Sequence, residues 1–214
     1  MNPDATALFA NRLLHWLLPC LLRATLRSAT TVRTGEHLDR TRPPLAKDKT
    51  GVSEMIIEAA MFRQVLGNYP TGVAAITAMT AEGAPVGMVV GTFTSVSLNP
   101  PLVGFLPDKS STTWPLIEAA GHFAVNVLAS DQTELCRKLA GKGDKFSGVE
   151  FTVSRHGLPV LPNVIAAIEC RIHSVTDAGD HYFVLGDVLG MEAKREGDPM
   201  LFFKGRYGGF ANLE

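Results

Sequence analysis

The sequence has no apolar stretch long enough to cross a membrane as a helix. Its longest, Leu13 to Leu22, is interrupted by His15 and Pro19, and a span needs about 20 apolar residues. Cysteine is scarce. Cys20, Cys136 and Cys170 are odd in number, far apart and without C-x-x-C spacing, which argues against a disulfide framework or a zinc site and fits a reducing cytoplasm. Charge is also sparse: a net −1 with 19% charged residues argues against a supercharged nucleic-acid binder, and 46% hydrophobic content argues against disorder. There is no G-x-S-x-G elbow, no H-E-x-x-H pair and no acidic calcium loop. His15, His37, His122, His156, His173 and His181 share no ligand spacing, so hydrolytic and metal chemistry lack support. No strand–helix–strand alternation opens on G-x-G-x-x-G, which disfavours a Rossmann domain.

What is there divides in two. Residues 1–54 carry eight Lys and Arg against five Asp and Glu, while residues 55–214 carry twelve against sixteen. The second part is long enough to bury about 70% of the surface its unfolded chain exposes, so it is expected to fold without staples. The first part is not expected to fold alone. From Ala5 to Gly35 it has four arginines and no acid, and its leucines and Trp16 predict a basic amphipathic helix over roughly residues 8–22. Three readings of it stand: an organelle presequence or failed secretion signal, a surface helix for a membrane or partner, or an extension read from an upstream start. The linker GEHLDRTRPPLAKDK, with Met55 and Met61 beyond it, favours an extension or a disordered lead.

Short strands with turn punctuation dominate the rest. Ile57, Met61 and Val65 predict a helix over Glu54 to Leu66, ended by Gly67 and Tyr69-Pro70. Small and β-branched residues predict strands over Thr71–Thr80 and Pro85–Phe93, joined as a hairpin. Further strands are expected at Leu102–Leu106, Phe123–Leu128, 164–175, Tyr182–Leu189 and Leu201–Phe203. A short helix over Thr112–Ala120 has Ser/Thr caps and Pro115 in its first turn. Another over Asp131–Leu139 begins acidic and ends on Arg137 and Lys138, as the helix dipole favours. An antiparallel β-barrel with a few flanking helices is the expected fold class.

Chemistry is most readable in VGMVVGTFTSVSLNPPLVGFLPDKSSTTW. Glycines (Gly87, Gly91) let a backbone approach a flat ligand, hydroxyls near a helix start receive a phosphate, and Lys109 neutralises it. Ser and Thr are equally ordinary at strand edges and caps, so spacing alone leaves both readings open. Cys136 lies beside Arg137 and Lys138, which lower a thiol pKa, but its helical position reads as buried. Phe93, Phe105, Phe123, Phe183, Phe202 and Phe203 read as core, and Glu169, Arg171 and His173 as one solvated or dimer-facing strand face.

The ordered series FxxxxGxxPTGVAAITA, PVGMVVGTFTSVSLNPPLV, GHFAVNVL, GDKFSGVEF, AGDHYFVLGDV and FFKGRYGGF resembles the flavin reductase family, the reductases that supply reduced flavin to two-component monooxygenases. The likeness covers about residues 58–210 and has no counterpart in the first 54. It implies a homodimeric, FMN-binding split β-barrel of Greek-key type spanning 55–214, with about six strands. It also implies hydride transfer from NADH to FMN, with FAD and NADPH as possible substitutes, and a separate oxygenase that receives the reduced flavin.

Residue by residue, the resemblance implies that Pro85, Val86, Gly87, Met88 and Val89, with Gly91, Thr92 and Ser95, line the isoalloxazine ring. Their backbone donors would meet the charge that builds on the ring during reduction. Asp108, Lys109, Ser111, Thr112 and Thr113 match the phosphate and ribityl contacts, and Lys138 and Lys145 match positions of a basic neighbour. Gly91 departs from the pattern, because many members carry Ser, Asn or Gln there. His181 of Gly179-Asp180-His181 matches the nicotinamide contact, and Arg206 and Tyr207 match a pair able to meet dinucleotide phosphates and to stack. Hydride transfer needs stacking at near-attack distance and no catalytic acid or base. Two other readings share the architecture: an FMN-binding electron carrier without NADH turnover, and a relative of the pyridoxamine-phosphate oxidase or haem-degrading barrels. The expected setting is cytoplasmic, with neither nucleic acid nor membrane as partner.

Overall fold

A computed structural model describes residues 57–213; the expected helix over residues 8–22, its linker and the first residues of the segment from Glu54 lie outside the described residues. The chain opens with α1 (Ala59–Leu66), β1 (Thr71–Gly72), β2 (Ala74–Met79), β3 (Pro85–Val90), β4 (Thr94–Leu98) and β5 (Pro101–Phe105). There follow α2 (Trp114–Ala120), β6 (His122–Val127), α3 (Thr133–Ala140), β7 (Thr152–Val153), β8 (Pro159–Val160), β9 (Ala166–Ala178), β10 (His181–Ala193), β11 (Leu201–Phe203) and β12 (Arg206–Gly208). The fold is therefore mainly β with three helices. None of the described helices is long and apolar enough to cross a membrane.

Seven strands form one antiparallel sheet in the order β3-β2-β6-β9-β10-β5-β4, one strand more than expected. β4 is the addition. TSVSL alternates weakly and is mostly exposed, so it resembles a polar loop in sequence and is a strand only because β5 pairs with it. The two edges, β3 and β4, are not paired with each other, so hydrogen bonding does not close the sheet. The sheet still curls around one core. Ile76, Val90, Phe105, Phe123, Val125 and Val184, inward-facing positions of five strands, pack in a single cluster under Trp114 and Ile117 of α2. Phe105 stands edge-on to Trp114 and to Phe123, with ring centroids 5.8 Å and 5.2 Å apart.

The opposite face of β2 and β6 holds a second core of Val73, Ala75, Leu128, Cys136, Leu139, Leu161, Val164 and Met200, so α3 and the β7–β8 hairpin cover it. The expected single strand over 71–80 is broken for the same reason. Val73 donates to Met200 and accepts from Leu128, which carries the chain from a small sheet, β1-β11-β12, into the large one. Phe202 and Phe203 are 40% and 43% exposed and are not core: they point to opposite faces of β11, and among the described residues neither is buried by a covering layer.

The hairpin of β9 and β10 is longer than its alternating pattern indicates. Its register shifts after Leu185 and after Val188, and these β-bulges reset the alternation that ends a strand in a sequence reading. At Gly186 a Cβ would lie 2.6 Å from Phe123 Cζ and 3.1 Å from Cys170 Cβ, both residues being fully buried. Gly186→Ala is therefore expected to cost about 1–3 kcal/mol, an overpacking penalty, seen as a thermal midpoint several degrees lower.

Candidate functional site

β3 is an edge strand, with β2 on one side only. Alternate N–H and C=O groups along its other side are free of ladder bonds, which is how an edge strand can hold a flat polar ligand. From Pro85 to Gly91 that edge spans about 20 Å at roughly 3.3 Å per residue. At the Pro85 end it enters a cavity of about 780 Å³, shared with Ser110, Thr112 and Thr113 ahead of α2 and with Lys142 and Lys145 of the loop after α3. At the other end Thr92 Oγ1 accepts the Leu106 amide at 2.9 Å and donates to its carbonyl at 3.3 Å. This joins β3 to the segment that leads to Asp108 and, across an isolated antiparallel bridge, to His181.

Lys145 is central to the cavity. Its Nζ donates to Thr113 Oγ1 at 3.0 Å and to the Gly87 carbonyl at 3.1 Å, tying the loop to β3 and to the entrance of α2. Burial holds the ammonium below its ordinary range. Phe146 follows and lays its ring against Gly87, where a Cβ would stand 3.1 Å away. The loop itself is fixed by Asp144, whose Oδ1 accepts the amides of Phe146 and Ser147. Lys142 also lines the cavity and is a residue that sequence reasoning missed. Its signal was the flanking pair Gly141 and Gly143, the latter at φ 85°.

Other expected residues are engaged elsewhere. Ser111 Oγ accepts the Thr113 and Trp114 amides at 3.3 Å and 3.1 Å, so it caps α2. Asp108 Oδ1 accepts the Ser110 amide at 2.6 Å, and hydrogen bonding from Ser110 holds its carboxyl below the usual range. Lys138 Nζ donates to the Ser147 carbonyl. Lys109 Nζ meets Asp177 Oδ1 at 2.8 Å. Val86 and Met88 turn toward the first core and Val89 toward the second, which leaves their backbone as the part a ligand can reach. Ser95 is exposed on β4. Gly91 has Thr71 beside it, and a Cβ there would meet Thr71 Oγ1 at 2.8 Å, so a longer side chain at this position needs Thr71 to turn away.

His181 begins β10. Its Nδ1 lies 2.8 Å from Asp180 Oδ1, and that hydrogen bond holds the Asp180 carboxyl below its ordinary range. Arg206 and Tyr207 line a different cavity, of about 710 Å³, with Pro70, Phe203 and Lys204. His181 lines neither cavity. Hydrogen bonding with Cys136 pushes the Tyr207 phenol up to about 12, while burial raises the Cys136 thiol more than Arg137 lowers it. Glu169, Arg171 and His173 alternate with core-facing Ile168, Cys170 and Ile172 and so share the outer side of β9, but each is engaged in pairs. Glu169 accepts from Ser154 Oγ at 2.5 Å and pairs with His156 at 2.8 Å, whereas Arg171 and His173 converge on Asp187 at 2.8 Å and 2.9 Å.

The class of protein that these features define is a mainly β fold whose free edge strand runs from a hydroxyl- and lysine-lined cavity toward a histidine at a hairpin end. Residues 66–211 match the flavin reductase like domain, and the chain belongs to that family. It is 53% identical to a flavin reductase of Pseudomonas putida over 169 residues, 77% of this chain and 99% of the relative. It is 44% identical to the FMN reductase (NADH) SmoA of Agrobacterium fabrum over 150 residues, 70% of this chain and 85% of the relative. The crystal structure of a homologue of nitrilotriacetate monooxygenase component B from Mycobacterium thermoresistibile superposes with a TM-score of 0.68 at 41% identity, over 71% of this chain and 86% of that one.

Proposed function

We propose that this protein is an NADH-dependent flavin reductase that reduces FMN, with FAD as a possible substitute, and releases the reduced flavin to a separate oxygenase. The observation that carries this reading is the free edge of β3, about 20 Å long, with a cationic, hydroxyl-lined cavity at one end. FMN has that form: a charged phosphate, a ribityl chain and a flat ring with alternating donors and acceptors on one side. When bound, the flavin supplies the atom that accepts hydride. Lys145, Lys142, Thr112 and Thr113 would take the phosphate end, with Ser110 beside them. The backbone from Val86 to Thr92 would hold the ring edge and direct fixed N–H dipoles at the charge that reduction places there. His181, oriented by Asp180, would hold the nicotinamide side. Relatives named an FMN reductase (NADH) and a monooxygenase component support both the donor and the partner class.

NADH is preferred to NADPH in this reading. Asp180 and Asp108 flank His181, and the adjacent cation, Lys109, is already paired with Asp177, a poor setting for an added 2′-phosphate. We read the curled sheet as a Greek-key split barrel whose two lips are β3 and β4, a reading supported by the single core shared by both halves. We assign it to a homodimer in the cytoplasm. Exposed Met61, Phe62, Val65 and Leu66 on α1 and Leu98 on the β4 edge support the dimer as apolar surface for a second copy to cover.

Purified protein mixed with NADH and excess FMN is expected to consume NADH in a flavin-dependent way; no such loss would exclude the reductase reading. His181→Ala separates a reductase from an electron carrier. It should raise the KM for NADH about tenfold, the loss of one good contact worth roughly 1.4 kcal/mol, and leave the Kd for FMN unchanged. A carrier would show no NADH dependence to lose.

A further inference from the structure

We infer that Lys109 is a positioning residue for the nicotinamide side of the site and not a ligand of the flavin phosphate: with Asp177 it latches the β9–β10 turn, and His181 with it, onto the segment after β5. The inference rests on the reductase reading above. Lys109 sits one residue before the hydroxyl run Ser110–Thr113, which in sequence makes it the natural phosphate partner. Its ammonium points the other way. Nζ lies 2.8 Å from Asp177 Oδ1 and 5.1 Å above the centre of the Tyr182 ring, and Lys109 is not among the residues that line the cationic cavity, which draws its charge from Lys142 and Lys145.

Main-chain bonds show what the latch holds. The Lys109 amide donates to the Asp180 carbonyl at 2.9 Å, and the Tyr182 amide donates to the Pro107 carbonyl at 3.0 Å. Residues on both sides of His181 are thus bonded to the same segment, and Asp108 faces His181 between them. Asp180 then fixes the imidazole through Nδ1, which leaves Nε2 as the ring atom free for a ligand. The Tyr182 ring in turn leans on Trp114, 6.2 Å between centroids, so the lysine is sandwiched between an acid and an aromatic face that is anchored in the core. The hydrogen bond that Lys109 donates to Asp177 raises the ammonium pKa, in keeping with a charge held in place. A pair this exposed adds little to global stability. Its effect lies in geometry, because a small displacement of a substrate-holding group costs rate out of proportion to its energy.

Steady-state kinetics with NADH, FMN and riboflavin test the latch. Lys109→Met should raise the KM for NADH about five- to tenfold with kcat changed less, while the Kd for FMN and the preference for FMN over riboflavin stay at their wild-type values. Asp177→Asn should reproduce the effect, Lys109→Arg should largely avoid it, and the exchange Lys109→Asp with Asp177→Lys should recover most of the NADH affinity. If Lys109→Met instead weakens FMN but not riboflavin, the lysine is a phosphate ligand and the inference is wrong; an unaltered NADH KM in an active enzyme overturns it equally. Wild-type protein that does not oxidise NADH with FMN removes the reductase reading and the inference together.

Discussion

Replacing Asn126 with alanine is expected to lower the thermal midpoint by about 10 °C or more, from a loss of about 3–5 kcal/mol. Asn126 is fully buried in β6, as is Thr77 in the neighbouring β2. Its Nδ2 donates to Thr77 Oγ1 at 2.9 Å and to the Ala75 carbonyl at 3.3 Å, and its Oδ1 accepts the Leu161 amide at 2.9 Å. The Thr77 hydroxyl donates onward to the Pro159 carbonyl at 2.6 Å. Every polar atom in this group is satisfied, and the group joins two central strands to the β8 segment. Alanine leaves the Leu161 amide and the Ala75 carbonyl buried without this partner, at about 1–3 kcal/mol each. Asn126→Asp should be at least as harmful: the carboxylate can still accept from Leu161 but has no donor for Ala75 or Thr77, and a buried charge is unpaired. Equal melting of wild type and both variants would show that the network contributes nothing. The loop carrying Lys145 runs from α3 toward β7 and β8, so loosening this anchor should also weaken FMN binding at temperatures where the protein is still folded.

That pin was not legible in the sequence. AAITAM and HFAVNV read as strands on composition, but nothing local distinguishes a Thr and an Asn that face a second covered layer from ones that face water. The part of the second layer that meets them is the β7–β8 hairpin, two residues in each strand, too short for any periodicity to register. The strong hairpins were legible, because β2–β3 and β9–β10 have turn residues between β-rich runs. Helix α3 was legible too, with Glu134 in its first turn and Arg137 and Lys138 in its last. In the site, Thr112, Thr113 and Lys145 were found as chemistry and do line one cavity. Lys109 was found as a residue type, yet its partner, Asp177, is set by the register of β9 with β10 and by how that hairpin's end meets the segment after β5. Hydroxyls and lysines announce a phosphate site by composition; which of them are consumed by caps and ion pairs is decided by long-range packing.

Lys145→Met should weaken FMN binding roughly 10- to 100-fold, the span expected for a charge-assisted bond worth about 1.5–3 kcal/mol, and should leave riboflavin binding almost unchanged. Methionine keeps the apolar stem and removes the ammonium, which isolates charge from packing. The pH dependence carries a sign that can be checked. Burial disfavours the ammonium in the flavin-free protein and so holds its pKa below the usual 10.5. A bound phosphate favours the ammonium and pulls that pKa back up. Between the two values FMN binding takes up a proton, so affinity should fall as pH rises through a window that opens below the ordinary lysine range. Riboflavin, without a phosphate, should show no such fall, and neither should Lys145→Met with FMN. Titrations of flavin fluorescence at several alkaline pH values measure all three cases. Equal loss of FMN and riboflavin in the variant would mean that Lys145 acts only by tying Thr113 to Gly87, and that the phosphate is held by other groups of the cavity.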